Sequence, residues 1–173
     1  MGYVLYDYLS SGNGYKCRLT MKALGIPYEY RHRDIIAGET RTPEFLAINP
    51  NGKIPVLVVP GRGPIAESHA IISYLAEGTK LMPTDKYERA LVWQWLCFEQ
   101  YQLEPGVATL RFWLKYLKQT PEELGERQAK VFSQASEDEV REIMKFTDTV
   151  AEIQNTLRVL TPVKLDKIEV IKV

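Results

Sequence analysis

The hydrophobic positions of the first eighty residues switch between alternation and helical spacing, and each switch predicts an element. Tyr3-Val4-Leu5-Tyr6 is a short β-branched and aromatic run, a strand, closed by the polar loop Ser10-Ser11-Gly12-Asn13-Gly14. Over residues 15–24 the apolar Cys17, Met21 and Leu24 recur at helical spacing, and Gly25 with Ile26-Pro27 stops the helix. Residues 28–33, Tyr-Glu-Tyr-Arg-His-Arg, alternate as a second strand. Thr42-Pro43-Glu44-Phe45 offers Thr as N-cap and Pro at N1 of a short helix. After the turn cluster Asn49-Pro50-Asn51-Gly52 come a third strand at 54–59, a hairpin loop at Gly61-Arg62-Gly63 and the short strand Pro64-Ile65-Ala66. Residues 67–75 are a helix opened by Ser68. The order is βαβ, a loop, then ββα: an α/β half built on a mixed four-stranded sheet.

Beyond the linker and cap at Pro83-Thr84-Asp85 the pattern is helical. Residues 87–101 place Leu91, Trp95 and Phe98 on one stripe, with Glu88 and Arg89 outward. Glu104-Pro105-Gly106 is expected to kink or break that helix, and residues 111–117 continue it. Thr120-Pro121-Glu122-Glu123 and Ser136-Glu137-Asp138-Glu139 carry N-terminal helix signatures. Ile143, Phe146, Val150, Ile153, Leu157 and Leu160 form an a/d-type stripe suited to packing on another helix. Thr161-Pro162 ends it, and residues 163–173 alternate as a strand or a disordered tail. The expected organisation is an α/β domain over 1–78 and a helical domain over 84–173.

Composition narrows the function classes. Of 173 residues, 22 are Lys or Arg and 22 Asp or Glu, so the balance offers no electrostatic footprint for nucleic acid or anionic lipid. Cys17 and Cys97 lie too far apart for a metal or redox motif, so two buried free thiols are expected, and no metal. The opening Met1-Gly2-Tyr3-Val4-Leu5-Tyr6 reads as neither a signal peptide nor a myristoylation signal. No apolar run reaches the ~20 residues of a membrane span. The expected compartment is the cytoplasm.

Three segments carry candidate chemistry. Ser10-Ser11-Gly12-Asn13-Gly14-Tyr15-Lys16 joins strand to helix, and a helix N-terminus presents unpaired N–H groups and partial positive charge that stabilise a thiolate. Asn49-Pro50-Asn51-Gly52-Lys53-Ile54-Pro55-Val56-Leu57 puts a proline at a strand entry, where it removes a donor. Glu67-Ser68-His69-Ala70-Ile71 places a hydroxyl and free N–H groups at a second helix start, a site for a carboxylate.

In this order and spacing the three resemble the glutathione transferase family, over residues 3 to about 130. The resemblance implies a thioredoxin-like first domain followed by a helical one, with no cofactor beyond glutathione as substrate. It implies Ser11 and Asn13 as donors to the glutathione thiolate, with Ser10 as substitute, as in bacterial branches that use Ser or Thr with a nearby Asn. It implies a cis Ile54–Pro55 bond that turns the Ile54 peptide toward the cysteinyl backbone of glutathione. Glu67 and Ser68 match the pair that holds the γ-glutamyl end, and Lys53 and Arg41 are candidates for the glycyl carboxylate. His69 is given no catalytic role. Tyr101, Arg111, Phe112 and Trp113 are candidates for the second-substrate pocket, with core packing as the competing role.

After about residue 132 the sequence departs from the family pattern. Three functions therefore stay open: transfer of the thiolate to a small hydrophobic electrophile, reduction of a disulfide with two glutathiones, and a non-catalytic adaptor. A homodimer is expected, with no nucleic acid or membrane partner.

Overall fold

A computed structural model describes residues 2–120 and a two-residue strand, Val170–Ile171. β1 (Tyr3–Asp7), α1 (Gly12–Ala23) and β2 (Tyr28–His32) form a βαβ unit. A 3₁₀ turn (Glu39–Arg41) and α2 (Pro43–Ile48) lead to β3 (Val56–Val59), β4 (Gly63–Ala66) and α3 (Ser68–Ala76). The strand order is β4-β3-β1-β2, with β1 and β2 parallel and the other pairs antiparallel. This is the mixed four-stranded sheet of a thioredoxin-like domain. Val170–Ile171 is β5, paired antiparallel to β2 at its outer edge, so that part of the alternating tail is strand.

The strand period of two divides the core between the faces of the sheet. Leu5 and Leu57 stand opposite each other on one face and pack with Cys17 and Met21 of α1 and Ile71 and Leu75 of α3. Tyr6 and Val56 pair on the other face and close on Phe45 of α2. Full burial of each such side chain contributes roughly 1.5–3 kcal/mol. The helix signals act as expected: Thr42 Oγ1 accepts the Phe45 N–H at 3.3 Å, with Pro43 at N1. The third strand starts two residues late, at Val56, because Ile54–Pro55 is a cis peptide outside the ladder.

Asp7 departs from this apolar pattern. It occupies the α1 side of β1, is fully buried, and forms an ion pair with Arg18. α1 approaches it so closely that a Cβ on Gly14 would enter the Asp7 carboxylate. Glycine is required there for space, whereas at Gly52 it serves conformation, with φ of +59° and Thr40 O only 2.9 Å from any added Cβ.

The described chain divides into two compact units, the first ending at Arg89 and including β5, the second starting at Ala90. α4 (Lys86–Phe98) begins with Asp85 Oδ1 accepting the N–H groups of Tyr87 and Glu88. The chain does not break at Pro105: helical winding continues through it. The chain instead winds wider, as a π-helix over Glu99–Thr109 and again over Phe112–Tyr116. An α-helical proline ring clashes with the carbonyl four residues back, and a wider turn relaxes that constraint. The helix ends at Lys118, at φ 56°, where Gln119 N–H reaches back to Trp113 O at 3.1 Å. The Leu91–Trp95–Phe98 stripe is exposed among the described residues, with Trp95 and Phe98 edge to face at 5.5 Å. Cys97 on the same helix is exposed too, which corrects the expectation of two buried thiols: only Cys17 is buried. The helix signatures at Thr120-Pro121-Glu122-Glu123 and 136–139 and the 143–160 stripe lie outside the described residues, in whole or from residue 121 on.

Gly14→Ala is expected to cost about 1–3 kcal/mol of stability by overpacking, because the neighbour it meets is a buried carboxylate held by Arg18. Urea denaturation of the variant against the parent measures this.

Candidate active site

Sheet register brings the three candidate segments to one edge. Tyr6 pairs with Val56 and Val56 with Ala66, so one line crosses β1, β3 and β4. Just past that line stand Asp7 on β1, Pro55 before β3 and Glu67 after β4. The starts of α1 and α3 also lie side by side. The Cys17 thiol donates weakly to Asn13 O at 3.7 Å and to Ser68 O at 3.9 Å, and Lys16 Nζ lies 3.3 Å from His69 Nε2.

At the start of α1, Ser11 is the N-cap: its Oγ accepts the Gly14 N–H at 3.2 Å while its carbonyl accepts the Tyr15 N–H at 2.9 Å. The cap uses the hydroxyl as acceptor, which leaves the O–H itself to donate. Asn13 is half-buried in the first turn, and its side chain bonds no other described residue. Ser10 is exposed, in the turn closed by Ser11 N–H to Tyr8 O at 2.8 Å.

At α3, Glu67 has φ of +69°, a left-handed value that costs a non-glycine residue energy and recurs at ligand sites. This conformation turns the chain from β4 straight into α3, leaving the Ser68, His69 and Ala70 N–H groups at the helix end. Ser68 is buried, and its hydroxyl bonds no other described residue. At the same edge, just before β3, the backbone N–H and C=O of Ile54 have no partner among the described residues. The loop before it is held by Asn49, whose side chain donates to Lys53 O at 2.8 Å and accepts the Asn51 N–H at 3.2 Å. Arg41 Nη1 donates to Asn51 O at 3.2 Å, so Arg41 joins the loop that carries the exposed Lys53.

Tyr101, Arg111, Phe112 and Trp113 belong to the second unit. Tyr101 is 80% exposed. Arg111 donates to the Tyr116 hydroxyl at 3.3 Å and lies over its ring, while Phe112 stacks on Tyr116 at 6.0 Å. Trp113 is half-buried. A cavity of about 460 Å³, lined by Val59, Arg62, Ile65 and Tyr74 among others, opens at the hairpin end of β3 and β4, away from the edge described above. Among the described residues no helix is long and apolar enough to cross a membrane, and no cluster of three or more His, Cys, Asp or Glu is placed to hold a metal.

The buried groups beneath the site have shifted acidities. Burial pushes the Cys17 thiol up to about 12, reinforced by the negative charge of Asp7, so Cys17 is a packing residue. Burial raises the Asp7 carboxyl to about 6 against the opposing pull of Arg18. The Asp7–Arg18 pair, the Glu67 conformation and the Lys16–His69 contact are the features that sequence reasoning missed. An acid at an inward strand position facing an inward helix arginine was the available signal for the first.

Known proteins resemble this chain over the same segments. The family described as glutathione S-transferase, N-terminal domain, matches residues 1–77. A glutathione S-transferase from Pseudomonas fluorescens is 38% identical with a TM-score of 0.71, covering 86% of this chain and 71% of that one. Human glutathione transferase theta-2, solved with glutathione and an unknown ligand, is 30% identical with a TM-score of 0.67, over 78% of this chain and 58% of that one. A zeta-class glutathione S-transferase of Euphorbia esula is 34% identical over 113 residues, 62% of this chain and 50% of the relative. The chain thus spans about half the length of that relative.

The acidity of Asp7 gives a pH dependence with a defined sign. Its folded value lies above the usual 3.8, so between pH 6 and 4 the folded state holds a proton that the unfolded chain lacks. Its contribution to stability therefore improves as pH falls through that window, by on the order of 2–3 kcal/mol, and the penalty is full above pH 6. Thermal unfolding across pH 4–7 should show this gain in the parent relative to Asp7→Asn, which has no such proton to bind.

Proposed function

The chain belongs to the glutathione S-transferase family, and from that premise we propose that it binds glutathione along the edge of the sheet and activates its sulfur as a thiolate. The observation that carries this reading is the Ile54 peptide group, unpartnered among the described residues, at the same sheet edge as the starts of α1 and α3. These groups are of the kinds that the parts of one extended tripeptide would need. The Ile54 N–H and C=O pair with the cysteinyl backbone as an added strand would. The γ-glutamyl carboxylate takes the Ser68 hydroxyl and the N–H groups at the start of α3, and Glu67 attracts the α-amino group. Arg41 and Lys53 serve the glycyl carboxylate at the other end.

That placement sets the sulfur over the first turn of α1. The Ser11 hydroxyl donates to it while still accepting from Gly14, and the Asn13 amide and first-turn N–H groups add donors. Donors that favour the charged form lower the thiol pKa, which supplies thiolate near neutral pH. Holding the nucleophile in place adds the advantage of proximity. The thiolate then attacks a small hydrophobic electrophile. An aryl halide and a disulfide, offered in parallel, separate transfer from disulfide exchange.

Calorimetry with glutathione tests binding: Ser68→Ala should weaken it about 10- to 100-fold, as expected for a lost hydrogen bond to a charged group. Ser11→Ala and Asn13→Ala should raise the pH at which bound glutathione ionises by about one unit, read from thiolate absorbance. Absence of heat at millimolar glutathione would remove both enzymatic readings and favour a non-catalytic adaptor.

A further inference from the structure

Beneath the first turn of α1 a buried ion pair ties three segments together. Asp7, the last residue of β1, is fully buried on the same face as Leu5. Arg18 lies one helical turn beyond Gly14 and reaches back toward the loop. Its Nη1 donates to Asp7 Oδ2, and its Nη2 donates to the Leu9 carbonyl at 2.8 Å. One guanidinium thus joins helix, strand end and the loop that leads into Ser10. The Arg33 N–H just past β2, at 2.8 Å, and the Tyr30 hydroxyl of β2, at 3.4 Å, both donate to the Asp7 carbonyl. The strand end is therefore held from both sides.

The chemistry chosen is costly for packing alone. Asp7 Oδ1 lies against Gly14 with no hydrogen-bond partner, and ion pairs of this kind are often replaced by apolar residues without loss of stability. Burial has also displaced the carboxyl from its ordinary acidity. The pair instead does what an apolar plug cannot: it grips a main-chain carbonyl two residues before the helix cap. It also balances charge under the helix end. A lone Asp7 carboxylate would oppose a thiolate above it, and Arg18 cancels that opposition. Cys17 on α1 and Tyr28 on β2 are the other titratable groups that feel both charges, and Lys16 acts on Cys17 as well.

We propose that Asp7 and Arg18 are positioning residues for the thiol site, setting the loop 8–13 against the end of β1 so that Ser11 and the first turn of α1 meet the sulfur. This rests on the glutathione reading above. Neither residue touches the substrate.

The test uses the full chain as parent, Arg18→Met, Arg18→Lys and Asp7→Asn. Three measurements are made: calorimetric titration with glutathione, thiolate absorbance of bound glutathione against pH, and ligand-free amide exchange. Arg18→Met should weaken glutathione about tenfold and raise the ionisation pH of the bound thiol by about one unit. Amides of residues 11–15 should exchange faster while those of Tyr28–His32 keep the parental rate. Arg18→Lys, which restores charge without the two-pronged grip, should recover most of the thiol shift but not the slow exchange. It also serves if Arg18→Met does not fold. A merely structural pair would change the unfolding midpoint and leave the bound thiol unshifted. The inference is overturned if Arg18→Met, Arg18→Lys and Asp7→Asn bind glutathione within about twofold of the parent with an unshifted thiol. A parent that takes up no glutathione overturns the functional reading and the inference together. The parental titration therefore tells that failure from failure of the inference alone.

Discussion

The antiparallel pairing of β3 on β1 is the constraint from which the site follows. A strand that runs against its neighbour begins where the neighbour ends, so the cis Ile54–Pro55 peptide is delivered to the C-terminal edge of β1. The hairpin then returns β4 to that same edge, and α3 starts there. β1 itself exits into α1. Three chain crossings, remote in sequence, are stacked along one line of register with no long loop needed to gather them. A one-residue slip between β1 and β3 would exchange Leu57 and Val56 between opposite faces, so the two cores enforce the register.

The core supports this edge unevenly. Behind the edge, on the α1 and α3 side, the packing is apolar and complete: Leu5, Leu57, Cys17, Met21 and Ile71 are all fully buried. Two residues closer to the edge the same face of β1 carries Asp7. The change from leucine to aspartate marks where the sheet stops serving stability and starts serving the loop. Energetically it exchanges a few kcal/mol of transferable burial for a charged grip whose geometry is specific.

Much of the first unit was legible in the sequence because its local signals agree with its tertiary ones. The β-branched and aromatic run at 3–6, the helical spacing of Cys17 and Met21 and the Thr42-Pro43 start all state their element within a few residues. The strand-to-helix junctions were legible for a related reason: clusters of Ser, Gly and Asn interrupt the apolar runs there, and Ser11 caps α1. What could not be read depends on distances between segments. The closeness of Gly14 to Asp7 and the left-handed Glu67 are set by how α1 and α3 settle on the sheet. Pro105 misled because propensity assumes α-helical winding, and the chain found a wider one. The exposed Cys97 misled in the same way, since a hydrophobic stripe does not name the side of a helix that is covered.

The depth of Cys17 bears on how the protein would behave under oxidative load. It sits one turn into α1, close to where glutathione's own sulfur is proposed to lie, yet burial holds it almost wholly as the neutral thiol. A neutral, enclosed thiol neither attacks a disulfide nor is readily alkylated. The helix end therefore does not lend its stabilisation to the resident sulfur of Cys17. Of the two cysteines, Cys97 in the second unit is the exposed one.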